Sequence, residues 1–205
     1  GGELVGQAIK KNKVEYIDRV HGNSKGWITR SCIDENGYSQ WHYKYLELKE
    51  TDLTGENIYI TLNTFYKPCR RLECIKELNF VYIDLDYYKT KYTKEQVIMN
   101  LESNYFNKII PATNYIIDSG RGLALLWNIN KVPSQALPLW KAIQEYLYHQ
   151  LKEFGADRQA LDATRVLRVP GSINSKSKTV VSIIDEYDYI YDLREIQKEY
   201  LPELK

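Results

Sequence analysis

Cysteine is scarce in this chain of 205 residues. Cys32, Cys69 and Cys74 are odd in number and show no C-x-x-C spacing. That excludes a disulfide framework or a thiolate zinc site and reads as reduced thiols in a cytoplasmic protein. No apolar run is long enough to span a membrane and no signal peptide is visible, so neither a membrane protein nor a secreted one is expected. Charge of one sign is missing too. Lys and Arg number 28 against 27 Asp and Glu, a net charge of +1, so any nucleic-acid contact must come from a local patch. There is no internal repeat and no low-complexity segment. What is present is an ordinary globular composition, 43% hydrophobic, which excludes wholesale disorder and is enough for one sizeable core or two small ones. Tyrosine is frequent at 18 residues. That suits base stacking, but an AT-rich coding sequence yields it as well, and the compositional explanation comes first.

The spacing predicts a short amphipathic helix over 3–13, then strands at 14–20 and 27–33, with a turn at Asn36-Gly37. Residues 41–50 are ambiguous between helix and strand. Residues 57–63 alternate like a half-buried strand. Leu72, Ile75 and Leu78 predict a helix over 69–78 that leads into a strand at 80–86. Thr93 and Gln96 form a capping box for a helix over 93–106. Strands follow at 114–118 and 123–129, joined by Ser119-Gly120-Arg121-Gly122. The longest helical pattern runs from Pro133 to Phe154, with Gly155 as its stop. A strand at 179–184 and a helix at 192–201 close the chain. Strands and helices mix without regular alternation, which predicts an α+β fold.

Three blocks can carry chemistry. Phe80-Val81-Tyr82-Ile83-Asp84-Leu85-Asp86 is a strand ending in two acids, and the two-residue period puts Asp84 and Asp86 on one face. Side-by-side carboxylates repel unless a cation sits between them, and Mg²⁺ or Mn²⁺ suits such a pair; equally, this is a strand end with two solvated acids. Ser119-Gly120-Arg121-Gly122 is a turn whose glycines let backbone N–H groups approach a phosphate, with a guanidinium at hand, or it is a plain hairpin. The run from Gly155 to Lys178 combines Asp157 and Asp162 with Arg165, Arg168, Lys176 and Lys178 around Pro170-Gly171. That is the mixture a metal–triphosphate site needs, and also what a surface loop with internal ion pairs looks like.

In this order the blocks resemble the archaeo-eukaryotic primase superfamily, nearest to the replication primases and primase-polymerases of plasmids and mobile elements of Gram-positive bacteria. The resembling motifs are D-h-D (Asp84, Asp86), S-G-x-G (Ser119, Gly120, Gly122), and hydrophobic-Asp followed by R-h-h-R-h-P-G-x-x-N-x-K (Ala156-Asp157, then Arg165 through Lys176). The resemblance spans roughly residues 57–185. It implies an RRM-like antiparallel sheet with helices behind it and an N-terminal α/β extension. We expect residues 1–56 to form that extension and 57–205 the core, as one continuous domain. It implies a template-dependent DNA primase or primase-polymerase that joins NTPs or dNTPs to a 3′-hydroxyl with Mg²⁺ or Mn²⁺. Single-stranded DNA is the implied template, and a helicase or initiator of the same element a further partner.

The resemblance also implies residue roles. Asp84, Asp86 and Asp157 are the metal carboxylates, with Asp162 as the alternative third acid or as a residue that orients Arg165 or Arg168. Ser119, Gly120, Arg121, Gly122, Arg165, Arg168, Asn174 and Lys176 are the nucleotide-binding set. One position departs from the pattern. Many members have His two residues after the second glycine of S-G-x-G, and here Ala124 stands there; His21, His42 and His149 lie elsewhere. An accessory helical domain that often follows has no counterpart before Lys205. Two other functions stay open: a non-catalytic nucleic-acid-binding domain on the same fold, and another D-x-D enzyme such as a nuclease or glycosyltransferase.

Overall fold

The computed structural model describes residues 15–201, and its central strand is the one that carries Asp84. In chain order come helix α1 (residues 15–21) and a hairpin of β1 (Ile28–Asp34) and β2 (Gly37–Tyr43). The single turn α2 (Tyr45–Leu48) precedes β3 (Ile58–Thr61), β4 (Thr64–Phe65) and β5 (Ile75–Leu85). Then follow α3 (Lys94–Asn100), β6 (Tyr115–Asp118), β7 (Leu123–Pro133) and α4 (Leu137–Gln150). The chain ends with β8 (Val166–Arg168), β9 (Ile173–Asn174), β10 (Thr179–Val180), β11 (Ser182–Glu186) and α5 (Leu193–Tyr200). Among the described residues no helix is long and apolar enough to cross a membrane.

The fold is α+β. One antiparallel sheet has the order β11-β6-β7-β5-β4, a second has β2-β1-β3-β8, and β9 pairs with β10 as a separate ribbon. The expected strands at 80–86, 114–118 and 123–129 therefore lie side by side. The segment 179–184 divides: Ser182–Glu186 joins β6, whereas Thr179–Val180 turns away to pair with β9. The capping box at α3 is present, Thr93 Oγ1 accepting from Gln96 N and Gln96 Oε1 from Thr93 N.

Two expectations are corrected. Residues 15–21 are helical, not extended; Tyr16, Ile17, Val20 and His21 are buried, and that spacing lies on one helix face, not on alternate faces of a strand. Residues 69–78 hold only a 3₁₀ turn at Leu72–Cys74. Their threefold apolar spacing suits a helix, but Ile75 pairs with Phe65 and Leu78 with Val132, so tertiary pairing overrides local pattern. The helix expected over 3–13 lies outside the described residues.

The free edge of β5 explains how the site is assembled. β4 reaches only Ile75 and Glu77, so the rest of that edge needs other partners for its backbone. Asn63 Oδ1 accepts from Asn79 N at 2.8 Å, and Trp140 Nε1 donates to Phe80 O at 2.7 Å. Gln144 Oε1 accepts from Tyr82 N while its Nε2 donates to Tyr82 O, both at 2.8 Å. Trp140 and Gln144 reach β5 because α4 packs across it, burying Trp140, Ile143 and Leu147. Each such apolar side chain contributes about 1.5–3 kcal/mol. Past Tyr82 the edge is taken over by residues 155–157, where Asp157 N donates to Asp84 O and Asp86 N to Gly155 O, each at 2.8 Å. Segments seventy residues apart in sequence are thereby laid antiparallel, with Leu85 opposite Ala156.

Candidate active site

Asp84 is the penultimate residue of β5, and Asp86 lies just beyond the strand as the N-cap of a 3₁₀ turn. The register places Ala124 directly opposite Asp84 and Leu123 opposite Leu85. One cleft is lined by Asp84, Asp86, Ser119, Arg121, Gly122 and Ala124 at the end of the five-stranded sheet, and by Tyr59, Arg165, Arg168, Asn174 and Lys176 on the other side. Asp157 stands at its margin, tied in by Arg165. The guanidinium of Arg165 donates from Nε to Asp84 Oδ2 at 2.7 Å and from Nη2 to Asp157 Oδ2 at 3.3 Å. Asp162 is not part of this group. Its Oδ1 accepts from Thr164 N and Thr164 Oγ1, both at 2.8 Å, which closes a local turn.

The carboxylates are electrostatically stressed. Burial pushes the Asp84 carboxyl above its ordinary pKa despite Arg165, and Asp157 and Asp86 add to the push. Asp86 is raised by burial first and by Asp157 next. Burial opposes the charge of Arg165, but Asp84 and Asp157 outweigh it and raise its pKa. Three acids thus share one embedded cation, with Lys89 Nζ 3.7 Å from Asp86 at the surface. Among the described residues no three His, Cys, Asp or Glu side chains converge as a ready-made metal cage; the acids stand around Arg165 instead. The donors are all carboxylate oxygens short of positive charge, the chemistry that suits a hard divalent cation.

The S-G-R-G turn is held by its own side chains. Asp118 Oδ1 accepts from Gly120 N at 2.9 Å, and Ser119 Oγ donates to Gly122 O at 3.0 Å. Gly120 has φ +106, and a Cβ there would lie 2.2 Å from Ser177 Oγ. A side chain here would be strained by that φ and would have to displace the side-chain tips of Ser177 and Asn174, so the glycine has a local structural cause besides any phosphate contact. Asn174 holds the two turns together, donating from Nδ2 to Ser119 O at 2.7 Å and accepting Lys176 N at 3.0 Å. Arg121 lies over the ring of Tyr88, with Cζ 4.5 Å from its centroid.

Sequence reasoning missed Asn57, Tyr59, Tyr88 and Gln144. Asn57 Oδ1 accepts from Arg168 Nη1 at 3.0 Å and from Ser175 N at 3.1 Å, and its Nδ2 donates to Ser175 Oγ at 2.7 Å. Arg168 Cζ also lies 4.8 Å from the centroid of the Tyr59 ring. Burial lowers the Arg168 pKa, Tyr59 partly offsetting it. None of the four carries a local sequence signal; the structure holds Asn57 at φ +54, a region Asn is among the few residues to tolerate.

No protein-family model matches the chain. Among curated proteins it is similar to a replication protein of Clostridium perfringens, 76% identical over 198 residues that cover 97% of this chain and 49% of that protein. The chain thus spans about half the length of this relative. Among solved structures it is similar to the archaeo-eukaryotic primase domain of the cyanophage S-2L primase-polymerase, with a TM-score of 0.67 at 15% identity, covering 93% of this chain and 97% of that one. It is also similar to the catalytic domain of primase RepB′ in complex with initiator DNA, with a TM-score of 0.55 at 11% identity, covering 92% and 94%. At these identities the likeness is one of fold.

Proposed function

Because this chain has the fold of archaeo-eukaryotic primase catalytic domains, we propose that it is a template-dependent nucleotidyltransferase, the primase or primase-polymerase domain of a plasmid or mobile-element replication protein. The observation that carries this reading is the meeting of Asp84, Asp86 and Asp157 with Arg165, Arg168 and Lys176 around one cleft. Asp84, Asp86 and Asp157 would hold Mg²⁺ or Mn²⁺. When bound, such ions neutralise a leaving pyrophosphate and activate the attacking 3′-hydroxyl. The chain's own contribution is positioning and charge. Arg168, fixed by Asn57 and backed by Tyr59, takes a phosphate in two-pronged geometry, and Lys176 adds an exposed cation on the same wall. Single-stranded DNA supplies the template, consistent with the DNA bound by the RepB′ domain.

The test is incubation with a single-stranded DNA template, labelled NTPs or dNTPs, and Mg²⁺ or Mn²⁺. A ladder of new products supports the proposal. Binding without synthesis would establish the non-catalytic reading, and template degradation a nuclease.

Arg168→Ala should raise the KM for nucleotide by roughly tenfold or more, the scale of losing a charge-assisted hydrogen bond, and change template affinity little. Asn57→Ala should move KM the same way by a smaller factor, because it frees the guanidinium without removing it. Titrations of nucleotide and of template with both variants check this; a collapse of template affinity alone would place Arg168 on the DNA backbone.

Ala124 leaves the family's histidine position empty beside Asp84. Arg121, always charged and within the same cleft, is the group we assign to that phosphate. Arg121→Ala should weaken nucleotide binding by roughly tenfold, and adding Ala124→His should restore part of the loss. Ala124→His alone should be neutral or harmful, since two groups would crowd one oxygen. Fluorescence titration with a labelled nucleotide measures all three; wild-type affinity in Arg121→Ala would refute the substitution.

A further inference from the structure

Arg165 fills the space between the acids. All three of its guanidinium nitrogens are engaged: Nε with Asp84, Nη2 with Asp157, and Nη1 with Gln159 Oε1 at 3.3 Å. Two of the three carboxylates each commit an oxygen to it. The contacts are shielded, the side chains of Arg165 and Asp84 being 21% and 18% exposed, and a guanidinium cannot be deprotonated out of the way. A lone divalent ion approaching Asp84 and Asp157 must either sit beside this fixed positive charge or expel it. Expulsion leaves a half-buried cation without its partners, which is costly. A triphosphate removes that cost. Arg165 lines the same cleft as Arg168 and Lys176, so the guanidinium can exchange carboxylate oxygens for phosphate oxygens of equal geometry.

We infer that Arg165 is a resident counter-cation which the metal–nucleotide complex displaces, so that metal and triphosphate bind together and neither binds well alone. The inference rests on reading the cleft as a metal–triphosphate site. It adds that selection for the complete metal–nucleotide complex is built into one side chain. By thermodynamic linkage the coupling is reciprocal: nucleotide tightens metal by the factor by which metal tightens nucleotide.

The experiment is binding of Mn²⁺ to the metal-free protein, followed by loss of the free-ion electron paramagnetic resonance signal, with and without a non-hydrolysable nucleoside triphosphate. For the wild type, nucleotide should tighten Mn²⁺ by about tenfold or more, within the usual range of such couplings. Arg165→Gln should bind Mn²⁺ alone about tenfold more tightly than the wild type, the order expected on removing a nearby unit charge, and nucleotide should then add little. Arg165→Lys should fall between, since an ammonium can meet Asp84 or Asp157 but not bridge them; should Arg165→Gln fail to fold without metal, a severalfold gain in Arg165→Lys carries the test. Unchanged or weaker Mn²⁺ binding in these variants would overturn the inference, making Arg165 an organiser of the carboxylates. Asp84→Asn is the control for the reading beneath it: Mn²⁺ binding that this change leaves untouched would show that the metal does not belong to this cleft at all.

Discussion

Asp84→Asn should abolish nucleotide incorporation, lowering it by at least about 10³-fold, the consequence of losing several kcal/mol of charge stabilisation at a metal ligand. Asp86→Asn should be equally inactive. The two variants should differ in the stability of the metal-free protein. Asp86 has its pKa raised by burial and by Asp157, and its one ion pair among the described residues is the loose contact to Lys89, so a neutral amide relieves stress and the melting temperature should hold or rise. Asp84 is raised by burial too, but it also anchors Arg165 at 2.7 Å, so neutralising it leaves that guanidinium half-satisfied. In EDTA, Asp86→Asn should therefore melt above Asp84→Asn. The pH dependence has a definite sign. A carboxyl whose folded pKa is raised above its unfolded value contributes stability at low pH that is lost as pH rises through the folded value. As pH falls through those raised folded values the metal-free wild type should gain stability from these two acids, and each Asn variant should lose part of that gain. Wild-type incorporation by Asp84→Asn would remove the carboxylates from the mechanism.

Gly155→Ala should be the most damaging change at a residue with no functional group. Gly155 has φ +82, and a Cβ there would lie 2.4 Å from the backbone oxygen of Asp86 and 2.7 Å from its carbonyl carbon. Neither atom can swing aside as a side chain would. Relieving the clash means prying residues 155–157 off the end of β5, which breaks the bonds from Asp86 N to Gly155 O and from Asp157 N to Asp84 O. We expect a loss of about 2–4 kcal/mol in urea denaturation, the range of a backbone clash added to a left-handed non-glycine, together with near-complete loss of incorporation as Asp157 moves. Gly37→Ala is the matched control. Its φ is +107 but nothing lies within 4 Å of an added Cβ, so it should cost only about 1–2 kcal/mol and leave incorporation intact. Equal effects at the two positions would mean that the 155–157 segment is not docked on β5.

The parts of this site that could be read from the sequence are those with a local cause. Alternation along a strand places Asp84 near the face of Asp86, and S-G-R-G and Pro170-Gly171 announce turns whatever surrounds them. The capping box at Thr93 and the stop at Gly155 are local in the same way. What could not be read is what depends on partners distant in sequence. The apolar spacing of Leu72, Ile75 and Leu78 fits a helix until Phe65 and Val132 pair with it. The buried spacing of Tyr16, Ile17 and Val20 fits a helix, but the β-branched residues Val14, Ile17 and Val20 read as strand formers. Gln144 reads as a polar residue on the apolar stripe of α4, and only the unpaired edge of β5 gives its amide a purpose. Asn57 and Arg168 are 111 residues apart, and nothing in either neighbourhood announces their hydrogen bond. Which of Asp157 and Asp162 is tied to Asp84 is also a matter of tertiary structure, because both follow a hydrophobic residue; Asp157 N donates to Asp84 O, whereas the Asp162 carboxylate accepts from Thr164.

One cleft should hold a divalent metal and a triphosphate at the same time. The most direct measurement is a crystal structure with Mn²⁺ and a non-hydrolysable nucleoside triphosphate, read by the anomalous scattering of manganese. We expect a manganese peak on the carboxylates of Asp84, Asp86 and Asp157, phosphates on Arg168 and Lys176, and the Arg165 guanidinium moved off Asp84. Manganese bound away from Asp84, or a triphosphate seated where none of these cations reaches it, would contradict this expectation.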